Sequence, residues 1–344
     1  MRAMVLTAPE DLTAAEVSRP RADGGQVLVR VTHSGICGTD FKIYKGAIPV
    51  AYPRIMGHEM TGEVADAGAT SLRAGERVII DPELYCGVCF HCRIGQTHLC
   101  PTGMLVRRDT NGGFAEYLAA PPTHVFPVPD SIDSRTAPLI QVLTTCVHAQ
   151  RQIQIFPGES VAVLGLGVTG QLHVQLAKAR GASPVIGVTR SAHKRELAET
   201  LGADVTIPGG DGAVAQVREA TEGRGADVVI ETTGVLPSLA AAVDMARPGG
   251  RLLLFGIITA KEGALPFYDL YFKELALISA RVAKGEDYPA ALALVERGQV
   301  RLDPLISDVM PLEQLKQAIG MLGSDSAQRM KVILDHDTAG GGGA

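Results

Sequence analysis

Four cysteines, Cys86, Cys89, Cys92 and Cys100, stand in one short stretch, separated by two, two and seven residues. Zinc in a structural site takes four tetrahedral ligands, and this stretch supplies four thiolates without help from the rest of the chain. An iron–sulfur cluster is the chemical alternative, but the chain is otherwise without redox specialisation, which favours zinc. Bound there, the metal would staple a long loop, so its role is folding and not chemistry. A second set has a different character. Cys37, inside Gly35-Ile-Cys37-Gly-Thr39-Asp40, and His58, inside Gly57-His58-Glu59, are soft or borderline ligands set beside glycines. They supply two ligands, whereas a catalytic zinc needs a third and an open position for water or substrate. The remaining cysteine, Cys146, has apolar neighbours and reads as a buried structural thiol, though it is a rival ligand.

A third constellation is Val161-Ala-Val-Leu-Gly165-Leu166-Gly167-Val168-Thr169-Gly170, a G-x-G-x-x-G between a strand-like run and a helix-like one. Gly165 permits the tight turn, Gly167 lets backbone approach a pyrophosphate, and Gly170 allows close helix–strand packing. The helix start then offers free N–H groups and a positive dipole end to the phosphates. About twenty residues further on, an acid would bind the ribose 2′-hydroxyl of NAD. Here the second strand ends in Val188-Thr189-Arg190-Ser191, with Lys194 close behind, and no carboxylate stands at that tip. Thr189, Arg190 and Lys194 suit a 2′-phosphate instead, so the sequence predicts that NADP(H) is favoured over NAD(H).

The elements that must position these residues change in texture near residue 150. Before it, short β-type runs (26–32, 61–65, 77–81, 114–119) alternate with Gly and Pro breaks, as in a small irregular β-rich domain. After it, short apolar strands (161–164, 184–188, 205–207, 228–232, 251–255, 275–280) alternate with helical patterns such as 168–180. Buried strands separated by helices make βαβ units, and six of them complete a doubly wound parallel sheet. From about residue 289 a helix, a strand (304–310), a helix (312–322) and a strand (331–335) return to the first domain. The resulting reading is an α/β protein: residues 1–150 a β-rich domain with the thiol loop, 151–285 a dinucleotide-binding domain, and 286–344 the returning segment.

The chain has 344 residues, 46% of them hydrophobic and 20% charged, so it can bury two cores. A net charge of −5 with no basic run argues against nucleic acid, and no apolar stretch reaches the length of a membrane span. The N-terminal stretch lacks the apolar core of a signal peptide, and clustered thiols without a secretory context are metal ligands more often than disulfides. These features predict a cytoplasmic protein. The glycine run at 340–343 reads as a frayed tail.

Cys37-Gly-Thr39-Asp40, Gly57-His58-Glu59, the four-cysteine loop and the later G-x-G-x-x-G follow one another in an order that resembles the zinc-containing medium-chain alcohol and polyol dehydrogenases, sorbitol and threonine dehydrogenases among them. The resemblance runs from Met4-Val-Leu to Lys331-Val-Ile-Leu. It implies a GroES-like catalytic domain, a Rossmann domain, two zinc ions per chain, a homodimer or homotetramer, and hydride transfer between an alcohol held at zinc and NAD(P). It implies that Cys37 and His58 bind the catalytic zinc, that Glu59 stands beside the metal and enters its shell transiently, and that Asp40 orients His58. Thr39 would hold the substrate oxygen and begin a proton relay. Gln141 falls where polyol dehydrogenases of this type have a carboxylate ligand, and Lys42 where the family often has a relay histidine. Thr145 resembles the residue that packs on the nicotinamide. The candidate cofactor set is completed by Leu166, Val168, Thr169, Thr232, Gly256, Ile257 and Lys331. Phe41, Tyr44, Ile48, Phe114 and Tyr268 are candidate pocket walls that fit a sugar, polyol or secondary alcohol better than a fatty alcohol. A zinc-free reductase of activated double bonds, or a nicotinamide-binding protein without catalysis, are the rival readings.

Overall fold

The computed structural model describes residues 1–323 and 328–338; the glycine run at 340–343 lies outside them. The chain divides into two units, one of Met1–Thr144, Lys284–Glu296 and Ile306–Ala344, the other of Thr145–Ala283 and Arg297–Leu305.

In the first unit the spine is the strand Val27–Gly35, whose valines and leucine are buried. It pairs antiparallel with Glu59–Asp66, with Tyr117–Ala120 and with Lys331–Asp335. The registers Gly35↔Glu59 and Ile333↔Gly35 bring three distant parts of the sequence to one end of the sheet. Cys37 follows the end of the first strand, His58 precedes the start of the second, and Lys331 opens the third. Beyond Glu59–Asp66 the sheet continues through Arg77–Ile80 to Val125–Pro127. The predicted strand at 114–119 begins later, at Tyr117; ahead of it the Phe114 N–H bonds to Met56 O at 2.9 Å. The thiol loop leaves the sheet through the short pair Glu83–Leu84 and Met104–Leu105.

The second unit is a six-stranded, wholly parallel sheet. Its order across the sheet is Val205–Pro208, Val185–Thr189, Val161–Leu164, Ala226–Glu231, Ala246–Leu254, Ala276–Ser279. The strands are almost continuously apolar because helices cover both faces. This order is that of the doubly wound dinucleotide fold, with its switch point beside the first strand of the unit.

Two boundaries differ from the sequence reading. The first unit gives way to the second inside the helix Leu139–Ile153, at Thr144. Residues 297–305 belong to the second unit and not to the returning segment. The Gln175 side chain pins them there: its Oε1 accepts from Arg301 N–H at 2.7 Å and its Nε2 donates to Arg301 O at 3.1 Å. No described helix is long and apolar enough to cross a membrane.

Candidate active site

The four thiol-loop sulfurs lie within 4.8 Å of one another. Tetrahedral zinc with bonds of about 2.3 Å requires sulfurs about 3.8 Å apart. The Cys86–Cys92 and Cys89–Cys100 sulfurs stand at 4.0 and 3.9 Å, close to that figure and far from a disulfide bond. Backbone N–H groups of Cys86, Cys89 and Cys92 point at the sulfurs of Cys100, Cys86 and Cys89 at 3.4–3.5 Å, which suits thiolates. The donor set fits a closed zinc site.

At the end of the first unit's sheet, ligand atoms of Cys37, His58 and Glu59 also lie within 4.8 Å of one another. Cys37 is the N-cap of the helix Gly38–Tyr44, whose capping box returns the Asp40 carboxylate to the Cys37 N–H at 2.9 Å. The same fully buried carboxylate turns its other oxygen to His58 Nδ1 at 3.4 Å, a charge contact longer than an ordinary hydrogen bond. This leaves Nε2 of the ring to serve as a ligand. Burial and the charge of Arg107 oppose protonation of His58, yet Asp40 and Cys37 outweigh them and push its pKa up to about 9. Burial raises Cys37, but His58 brings it below its ordinary value. The site therefore prefers a cation, and a thiolate, an imidazole and a carboxylate suit zinc.

Glu59 holds the clearest surprise. Both of its oxygens are taken by Lys331 Nζ, at 2.8 and 2.7 Å, and the third Lys331 proton goes to Ile36 O at 3.0 Å. Gly35 makes room for this pair, since a Cβ there would stand 2.2 Å from Glu59 Oε2. Lys331, expected among the cofactor residues, stands in this structure as the buried counter-ion of Glu59, with its Nζ donors going to Glu59 and Ile36 O. Burial alone would lower its pKa, but Glu59 and Cys37 raise it above the ordinary lysine value. The lysine opens the strand Lys331–Asp335 at the register position beside Gly35, a pairing that residue spacing along the chain does not reveal.

Thr39 Oγ1 lies 3.6 Å from Cys37 Sγ, and half-buried Lys42 is one turn further along the same helix. Gln141 is buried in the first turn of Leu139–Ile153. Cys146 is a fully buried thiol in the second unit, its Sγ–H directed at Thr169 O at 3.9 Å, and burial pushes its pKa far up. Of the candidate pocket walls, Phe114 and Tyr44 are core, Phe41 and Ile48 pack against that core, and Tyr268 is exposed in the second unit.

In the second unit Gly165 has φ +88°, and a Cβ on Gly170 would meet Gly165 O at 1.9 Å, so both positions demand glycine. Gly167 caps the helix Val168–Ala179 and has open space where a Cβ would be, with Val168 and Thr169 half-buried beside it, as a phosphate cradle requires. Leu166 packs inward against Gly187, and Thr232 Oγ1 ties the strand ends together by donating to Leu164 O and Gly165 O at 2.8 and 2.9 Å. Gly256 N–H donates to Glu231 O, Ile257 is exposed, and Thr145 is half-buried. At the second strand's tip Thr189 is half-buried and Arg190 exposed. Ser191 caps the next helix by accepting from Lys194 N–H. Sequence reasoning missed two residues here. Arg195 donates to the carbonyls of Thr189 and Arg190, at 2.9 and 3.0 Å, and so fixes the tip. Glu231, a buried acid ending an apolar strand, accepts from Thr233 and Gly234 N–H and shapes the neighbouring turn.

A β-rich unit with a closed thiol site and a buried Cys–His–Glu cluster, joined in one chain to a dinucleotide-binding unit, defines a zinc-type dehydrogenase. Residues 23–130 match the alcohol dehydrogenase GroES-like domain and residues 168–297 the zinc-binding dehydrogenase family. The chain is 32% identical to 2-dehydro-3-deoxy-L-galactonate 5-dehydrogenase of Pseudoalteromonas atlantica, over 90% of this chain and 92% of that protein. It is 30% identical to D-arabitol-phosphate dehydrogenase of Enterococcus avium, over 90% of each. A zinc-binding dehydrogenase of Sinorhizobium meliloti, solved with NADP, superposes with a TM-score of 0.91 at 31% identity, covering 97% of this chain and 99% of that one. The chain belongs to the zinc-type medium-chain alcohol and polyol dehydrogenase family, and is an NAD(P)-dependent, zinc-using oxidoreductase of alcohol groups.

Proposed function

We propose that this enzyme interconverts a secondary alcohol of a polyol or sugar derivative and its ketone, with NADP(H) preferred, two zinc ions per chain and Gln141 as a further ligand of the catalytic one. The observation that carries this is the convergence of Cys37, His58 and Glu59 within 4.8 Å, a donor set suited to a catalytic metal. When bound, zinc supplies the Lewis acidity that makes the alcohol easier to deprotonate, and the nicotinamide accepts the hydride. The chain's own residues do the rest. Asp40 fixes the His58 ring, Lys331 holds the Glu59 carboxylate in place, and Thr39 accepts the substrate's hydroxyl proton while its own passes on to water beside Lys42.

The coenzyme preference rests on the strand tip, where Thr189 replaces the acid that NAD binding uses and Arg190 and Lys194 supply cationic donors. Comparing kcat/KM for NAD⁺ and NADP⁺ with a panel of polyols and sugars tests both halves of the reading. A higher value with NAD⁺ overturns the preference, and one zinc in fully active protein overturns the two-site reading. Self-association, as a homodimer or homotetramer, is supported by the edge strand Ala276–Ser279, which leaves three of its four residues exposed, and sedimentation tests it. Six free thiols suit a reducing cytoplasm.

A further inference from the structure

Arg107 occupies a conformation that arginine rarely takes. Its φ is +89°, in the left-handed region that favours glycine, within a turn closed by its own N–H on Thr110 O at 2.9 Å. The turn cannot drift. Val106 ahead of it is core, and behind it Asn111 Oδ1 accepts from Ile55 N–H at 3.2 Å. Gly112, Gly113 and Phe114 N–H then bond to the carbonyls of Ile55, Gly57 and Met56 at 2.8–3.0 Å. Those three residues lead directly into His58, so the Arg107 turn is bolted to the segment that presents a zinc ligand.

The side chain makes nothing of this strain for the fold itself. Its Nε is shut off from solvent with no hydrogen-bond partner, and its guanidinium has no ion pair among the described residues. Yet its charge is felt at both Asp40 and His58, favouring the carboxylate of the one and opposing protonation of the other. A strained backbone and an unsatisfied buried donor are two costs, and the one return the charge finds inside the chain is its attraction to the buried Asp40 carboxylate. Such a group is placed to meet an anion that the folded chain does not contain.

We propose that Arg107 binds an oxyanion of the substrate, a carboxylate or a phosphate monoester, and so selects acidic polyol derivatives over neutral ones. This rests on the alcohol dehydrogenase reading and narrows it. Guanidinium is the group suited to such an oxyanion, because its parallel N–H donors match two oxygens at once.

The test compares wild type, Arg107→Gly and Arg107→Lys on one carbon skeleton: D-glucitol, D-glucitol 6-phosphate and D-gluconate. Arg107→Gly should lower kcat/KM for the favoured acid by about a hundredfold, mainly through KM, the scale of one charge-assisted bond. The loss on glucitol, which reads what the removed charge does to Asp40 and His58, should be at least about tenfold smaller than that on the favoured acid, and Tm should hold or rise because glycine relieves the backbone. Arg107→Lys should recover part of the loss. The larger loss between phosphate and gluconate names the anion. An equal loss on all three compounds, or a lower Tm, makes Arg107 structural and overturns the proposal. Calorimetric titration of zinc-loaded protein with inorganic phosphate and with acetate separates this proposal from the wider reading. Binding that Arg107→Gly abolishes upholds the anion site even if none of the three compounds is oxidised, in which case it is the polyol substrate that fails. No binding of either anion to wild type overturns it.

Discussion

The two cysteine-bearing sites of the first unit differ in how they are made. The thiol loop draws four like ligands from one stretch of chain, leaves them partly open to solvent, and orients their sulfurs with its own backbone N–H groups. The Cys37–His58–Glu59 cluster draws unlike ligands from the neighbouring ends of two paired strands, buries His58 and Glu59, and depends on Asp40 and on Lys331 from the far end of the chain. A local site is complete once its loop closes, so its metal can be a staple. An assembled site exists only after the sheet has paired, so its metal can be held with a position left for chemistry.

The largest expected effect breaks the pair apart by function. Cys37→Ala should cut turnover by roughly a thousandfold or more while Tm moves little, because a Lewis-acid site is lost and the core is not. Cys92→Ser should do the reverse, lowering Tm and zinc content by one ion per chain with turnover of the folded fraction within about threefold. Zinc analysis, melting curves and initial rates decide; a collapse of activity with unchanged Tm in Cys92→Ser would erase the division of labour.

Next in size is the buried counter-ion. Lys331→Met strips the partner from a Glu59 carboxylate that is 1% exposed, and uncompensated buried charge costs about 3–5 kcal/mol. Denaturant melts should show that loss, and the double variant Lys331→Met/Glu59→Gln should recover most of it. A single variant as stable as wild type would mean that Glu59 finds another cation.

A smaller effect concerns the root of the thiol lobe. Asp81 is buried where the lobe leaves the sheet, accepting from Glu83 N–H at 3.0 Å and facing the Tyr288 hydroxyl at 3.4 Å. Burial, ahead of the opposing Glu83 hydrogen bond, pushes its pKa up from 3.8 to about 8. The folded state thus binds this proton more tightly than the unfolded one. Its contribution is full below about pH 4, shrinks as pH rises towards 8, and is gone above that. Asp81→Asn should flatten that slope and raise stability at pH 8 relative to wild type, read from urea melts across pH. An unchanged slope would place the proton elsewhere.

The smallest effect lies in the second unit. Thr189→Asp with Arg190→Ala should move the NADP⁺/NAD⁺ ratio of kcat/KM by roughly ten- to a hundredfold towards NAD⁺, and the shift should narrow with added salt because Arg190 is solvent-facing. No shift would make the tip a surface feature alone.

Features carried by short spacing were legible from residues alone. The thiol loop, the glycine loop and all six strands of the parallel sheet are encoded within a few residues, where backbone geometry and alternation of apolar runs leave few alternatives. Cys37 and His58 read as candidate ligands from their types and glycine-flanked settings, but their joining in one site, and Asp40 as the partner of His58, came through a family resemblance, since each alone is an ordinary residue. Tertiary structure alone decided the rest. Lys331 is separated from Glu59 by most of the chain and meets it only because the strand Lys331–Asp335 pairs antiparallel with Val27–Gly35. Nothing in the sequence singles out Arg107 from its neighbour Arg108; its left-handed turn and its unpartnered Nε appear only when residues 112–114 pair with 55–57. The physical reason is the same in both cases. Electrostatic partnership depends on distance in space and on desolvation, and both are set by strand register, which sequence spacing does not record.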